Sequence, residues 1–97
     1  MEKLEKKVIE WADERALLKE GNSTKQLLKT MEELGEVARA EINQDQLGVI
    51  DGIGDVLVCL IIYANQKGLD ITSCLDAAYN EIKNRKGKTV NGTFIKK

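Results

Sequence analysis

Between Val56 and Ala64 the sequence runs VLVCLIIYA, with no charged or strongly polar side chain. A helix built from this run is apolar on every side, the pattern of a helix enclosed all round. The chain is 97 residues long, and a domain of that size hides only about 60 to 65% of the surface its unfolded form exposes. One copy has little material to wrap around such a helix, so a neighbouring copy is the cheapest cover. The run is too short to cross a bilayer, and MEKLEKK at the N-terminus lacks the apolar core of a secretory signal. A soluble, cytoplasmic protein without a membrane partner is expected.

The rest of the chain reads as helices separated by short breaks, with no proline and no linker to divide it, so residues 1–97 form a single domain. Leu4, Val8, Trp11, Arg15 and Leu18 recur at spacings of four and three, which predicts an amphipathic first helix ending near Gly21. Ser23 and Gln26 have the spacing of a capping box ahead of the stripe Leu27, Met31, Leu34 and Ala38, predicting a second helix to about Ile42. The third runs from about Gln46 to Lys67, closed by Gly68. Asp70 or Thr72 caps a fourth that carries Leu75, Ala78, Tyr79 and Ile82. Beyond Gly87, Asn91-Gly92 between β-forming residues predicts a small hairpin or ordered arm.

Charge is distributed unevenly. The formal net charge is −1, yet the segment from Lys83 to Lys97 is basic with no acidic residue. A nearly neutral total argues against a stable nucleic-acid binder. Cys59 and Cys74 lie far apart in apolar contexts and read as small buried hydrophobes in a reducing compartment. Trp11, on the apolar stripe of the first helix, reads as core packing rather than base stacking.

The acidic residues are more informative. At about 100° per residue, Glu32, Glu33 and Glu36 fall within roughly a third of the circumference of the second helix. Alone, that face would be an ordinary solvated stripe opposite Leu27, Met31, Leu34 and Ala38. On the third helix, however, Asp51 and Asp55 share a stripe with Val58 and Ile62, so two carboxylates run into positions expected to be covered. Ionised carboxylates there need a cation. An internal Lys or Arg is one candidate, and a hard divalent ion on oxygen ligands is the other. The chain has no histidine, which argues against zinc catalysis and a His-containing di-iron site, leaving Mg²⁺ with Mn²⁺ as a substitute. Gly35, Gly52 and Gly54 lie inside helices beside these acids. They either let the helices approach each other or leave room for a ligand.

Glu32-Glu33-Leu34-Gly35-Glu36 followed by Asp51-Gly52-Ile53-Gly54-Asp55-Val56-Leu57-Val58 resembles the paired acidic motif of the MazG-like all-α nucleotide pyrophosphohydrolases. The resemblance extends from Trp11-Ala12-Asp13-Glu14-Arg15 to Asn80-Glu81-Ile82-Lys83-Asn84-Arg85-Lys86-Gly87, in the compact form common among phage and bacterial members. It implies an all-α, four-helix subunit within an oligomeric helical bundle; the all-round apolar third helix predicts a homodimer or dimer of dimers, and the residues after Gly87 a short C-terminal arm. The resemblance also implies Mg²⁺-dependent hydrolysis of a nucleoside triphosphate between its α and β phosphates. Carried over by position, Glu33, Glu36 and Asp55 would be metal ligands, and Glu32 a further ligand or the base for the attacking water. The family commonly has Glu where this chain has Gly52, and Asp51 is the natural substitute.

Lys83, Arg85 and Lys86 are candidates for holding the triphosphate, although cations there also suit the negative end of a helix dipole. The resemblance favours Asn80 and Lys83, which share a helix face. Two alternatives to the enzyme stay open: a non-catalytic helical interaction module, and a nucleotide-binding protein that does not hydrolyse.

Overall fold

The structure, a computed structural model, describes residues 1–97. In chain order it contains α1 (Glu2–Glu14), α2 (Leu17–Glu20), α3 (Ser23–Ile42), α4 (Gln46–Gln66), α5 (Ile71–Ile82), β1 (Gly87–Val90) and β2 (Thr93–Lys96). The protein is all-α apart from one antiparallel hairpin.

The expected first helix is two. Ala16 takes the left-handed conformation, φ 58°, uncommon for a residue with a Cβ, and this splits α1 from α2. Arg15, counted in the apolar stripe, instead folds back over the Trp11 ring, 4.4 Å from its centroid, and its guanidinium donates to the Trp11 carbonyl at 2.9 Å. Trp11 is itself 47% exposed, so it is no core residue of the single chain.

Helix starts follow side-chain capping. Asn22 Oδ1 accepts from Lys25 N, Asp45 Oδ1 from Gly48 N, and Asp70 Oδ1 from Ser73 N. The predicted Ser23 cap is displaced by one residue because Asn22 takes that role. Gln26, freed from the capping box, turns inward and donates to the Cys59 carbonyl at 3.1 Å. At the end of α4, Gly68 with φ 75° closes a Schellman motif: its N–H reaches Asn65 O while Leu69 N–H reaches Ala64 O. In the hairpin, Asn91 and Gly92 both have positive φ, the type I′ geometry expected of Asn-Gly.

The architectural centre is the antiparallel pair α3 and α4. Gln26 meets Cys59, Val37 meets Gly52, and Ala40 meets Gly48, so the pairing runs in opposite directions along the two helices. α1 covers part of α4, and α5 packs chiefly on α4. By length and composition alone α4 could cross a membrane, a test the core helix of a soluble protein also passes. Here it carries Asp51 and Asp55 and lies along α3.

Which face of α3 looks inward is the main departure from expectation. The residues turned toward α4 are Gln26, Thr30, Glu33, Val37 and Ala40. The apolar stripe faces outward, with Met31 64% and Leu34 58% exposed. On α4, Cys59, Ile61, Ile62 and Ala64 are buried, while Ile53 and Leu57 are not. No large side chain is fully buried. The apolar circumference of α4 is therefore only partly covered by its own chain. Cys74, expected to be buried, is exposed on α5, which has no buried residue.

Candidate active site

The inward turn of α3 puts acids from two helices side by side. Glu36 from α3 and Asp51 and Asp55 from α4 line one open groove of about 260 Å³, together with Arg39, Asn43 and Gly52. Glu33, one turn before Glu36, points between the helices with only 12% of its side chain exposed, and its Oε1 lies 3.3 Å from Lys29 Nζ. Glu32 is exposed and lies outside the groove.

The electrostatics register this crowding. Partial desolvation, then the charges of Asp51 and Glu33, push the Asp55 carboxyl above the usual carboxylate range, while Lys29 opposes them. Asp55 thus senses acids on both its own helix and the facing one. Burial, with Glu33 adding repulsion, likewise raises the Cys59 thiol. It stays protonated at neutral pH and serves as packing rather than as a nucleophile. Within one protomer no three of the acids or cysteines are placed to enclose a metal ion.

Of the three helical glycines beside the acids, only Gly52 makes a close approach. A Cβ on Gly52 would stand 2.7 Å from Val37 Cγ2, whereas one on Gly35 or Gly54 would meet nothing within 4 Å. Gly52 is buried at the crossing of α3 and α4. The position where the family commonly has Glu is therefore a packing position in this chain, and Asp51 and Asp55 flank it along the groove.

The basic candidates lie elsewhere. Asn80 is on α5, where its Nδ2 makes a long 3.4 Å contact with Asp76 Oδ2. Lys83 follows the end of α5, and Arg85 and Lys86 lie in the turn toward β1. All four are exposed, and none lines the carboxylate groove of its own chain. Sequence reading missed Lys29 and Arg39, the cations nearest the acids. Both had a signal: Lys29 precedes Glu33 by four residues, and Arg39 follows Glu36 by three, the spacings at which helical neighbours meet.

The protein is an all-α chain with paired acids on an antiparallel helix pair. The family model of the MazG nucleotide pyrophosphohydrolase domain matches residues 22–90. The chain belongs to that family. It is also similar to an uncharacterized 18.2 kDa protein of the rep-hol intergenic region of Haemophilus phage HP1 (strain HP1c1), 33% identical over 70 residues. That match covers 72% of this chain and 43% of the relative, so the chain spans less than half of the phage protein's length. No solved structure matches.

Proposed function

We propose that the chain hydrolyses nucleoside triphosphates between the α and β phosphates, releasing the monophosphate and pyrophosphate, with Mg²⁺ required and Mn²⁺ able to replace it. The observation that carries this reading is the shared groove of Glu36, Asp51 and Asp55, with Glu33 beside it. The donor set is all oxygen, as a hard cation prefers. The raised Asp55 carboxyl marks negative charge that Lys29 only partly offsets. That chemistry suits a divalent ion, which Glu33, Glu36, Asp51 and Asp55 would hold once their side chains draw together, since no three of them enclose an ion as they stand.

A bound divalent ion would neutralise phosphate oxygens and make a bound water more acidic. The protein's own residues do the remainder. Glu32, outside the groove and free of strong pairing, serves as a further ligand or takes the proton of the attacking water. Asn80, Lys83, Arg85 and Lys86 hold the triphosphate and stabilise charge on the departing pyrophosphate. The apolar stripes of α3 and α4 pack against a second copy, giving a homodimer or dimer of dimers in the cytoplasm of a bacterium or an infecting phage's host.

Pyrophosphate release from a panel of nucleoside triphosphates, with and without Mg²⁺, tests the reading. Gly52, buried against Val37 where relatives commonly carry Glu, favours one alternative: a protein that binds the nucleotide without cleaving it. Mg²⁺-dependent binding by calorimetry with no pyrophosphate released would support that alternative. A helical interaction module would show neither.

A further inference from the structure

Glu5 is a charged residue buried to 6% exposure, far from the acidic groove in sequence and absent from its lining. Both its carboxylate oxygens are used. Oε2 accepts from the backbone N–H of Ile71 at 2.8 Å, and Oε1 accepts from Thr72 Oγ1 at 2.5 Å. A carboxylate of α1 thus sits on the first turn of α5, 66 residues away, where free N–H groups and the positive end of the helix dipole favour an anion.

This tie matters because little else fixes α5. None of its residues is buried, and it packs chiefly on α4. Asp70 caps the helix locally, accepting from Ser73 N–H, but a local cap holds the helix together without orienting it in the molecule. Glu5 does orient it, through two bonds to a separate element. α5 has 12 residues, a length of about 18 Å at the usual rise. A tilt of about 10° at the capped end would swing the far end by roughly 3 Å, and that end carries Asn80 and Lys83.

We propose that Glu5 is a positioning residue: by clamping the start of α5 to α1 it sets the direction in which α5 presents Asn80 and Lys83 to the triphosphate. The proposal rests on the reading of those two residues as substrate-binding, and it adds a residue with no contact to substrate.

The test compares Glu5→Ala, Glu5→Gln and Thr72→Val with the wild-type chain on the four deoxynucleoside triphosphates, each with Mg²⁺. Glu5→Ala should raise KM about tenfold, the worth of one charged hydrogen bond, with kcat within about twofold. Glu5→Gln and Thr72→Val, which keep part of the clamp and the bulk of the side chain, should shift KM the same way by less. In an Asn80→Ala/Lys83→Ala background, Glu5→Ala should add less than about twofold, because the groups it positions are gone. Effects that multiply in full would overturn the proposal, as would a loss confined to kcat. Amide hydrogen exchange supplies a readout independent of catalysis: Glu5→Ala should speed exchange in α5 while α3 and α4 keep their protection. Unchanged protection of α5 overturns the clamp even in an active enzyme. A wild-type chain that releases no pyrophosphate, with α5 loosened in the variant, counts against the enzyme reading and leaves the clamp standing.

Discussion

Lys29 Nζ stands 3.3 Å from Glu33 Oε1, one helical turn along α3. The hydrogen bond to Glu33, followed by the charges of Glu33 and Glu32, raises the Lys29 ammonium above its ordinary value. For a base raised in this way, the stabilisation is complete below the ordinary lysine range and is lost only as pH climbs past it, so the pair is intact at neutral pH. In a metal-dependent site that ammonium competes for Glu33. Lys29→Met is expected to lower the Mg²⁺ concentration for half-maximal turnover by about two- to fivefold, the scale of a pair whose lysine is exposed. A Mg²⁺ titration of activity checks this, and an unchanged or higher requirement would contradict it.

Glu36→Gln and Asp55→Asn are each expected to abolish turnover while leaving the helical fold intact, as read by pyrophosphate release and circular dichroism. Asp55→Asn carries a second expectation. Because the folded state raises the Asp55 carboxyl, its ionisation opposes folding: stability is full below the unfolded value and declines as pH rises through the folded one. Without metal at pH 7, the Asn variant should therefore melt above the wild type. Adding Mg²⁺ should raise the wild-type Tm and move the variant less. A variant that melts lower without metal would contradict the crowding of acids at that site.

Two helical glycines should respond in opposite ways to alanine. Gly52→Ala drives a Cβ to 2.7 Å from Val37 Cγ2. Val is stiff at χ1, so the helices must separate, and a loss of about 1–2 kcal/mol is expected after the gain in helix propensity. Gly54→Ala meets nothing within 4 Å in its own chain and should stabilise by up to about 1 kcal/mol. Urea denaturation of both variants measures the difference, and equal midpoints would dispute the close approach at Gly52.

The outward stripes of α3 and α4 give an expectation about assembly. Light scattering should report a dimer or twice that, with a Tm that falls on dilution. Met31→Glu or Leu57→Glu, each placing a charge on an exposed apolar position, should yield a monomer of lower Tm. A wild-type chain that scatters as a monomer at low concentration would refute this.

Much of the fold was legible because it rests on local signals. Gly68, Asn91-Gly92 and the Asp70 cap act within a few residues, and each stands where its chemistry predicts. The break at Ala16 had no such signal, since alanine is the strongest helix former. The orientation of α3 was misread for another reason. Hydrophobic periodicity ranks faces by polarity, and it assigned Leu27, Met31, Leu34 and Ala38 to the interior. In the single chain the mixed face of Gln26, Thr30, Glu33, Val37 and Ala40 meets α4 instead. The meeting of Glu36 with Asp51 and Asp55 was readable from the family resemblance, while Glu32 falls outside their groove. The bond from Glu5 to Ile71 was not readable, since nothing in a sequence announces a contact across 66 positions.

On α3, the acids and the outward apolar stripe occupy opposite flanks of the line that meets α4. A substitution on one flank therefore reaches the other only through the shared backbone. The negative charge of one flank and the apolar surface of the other can thus be altered by separate substitutions.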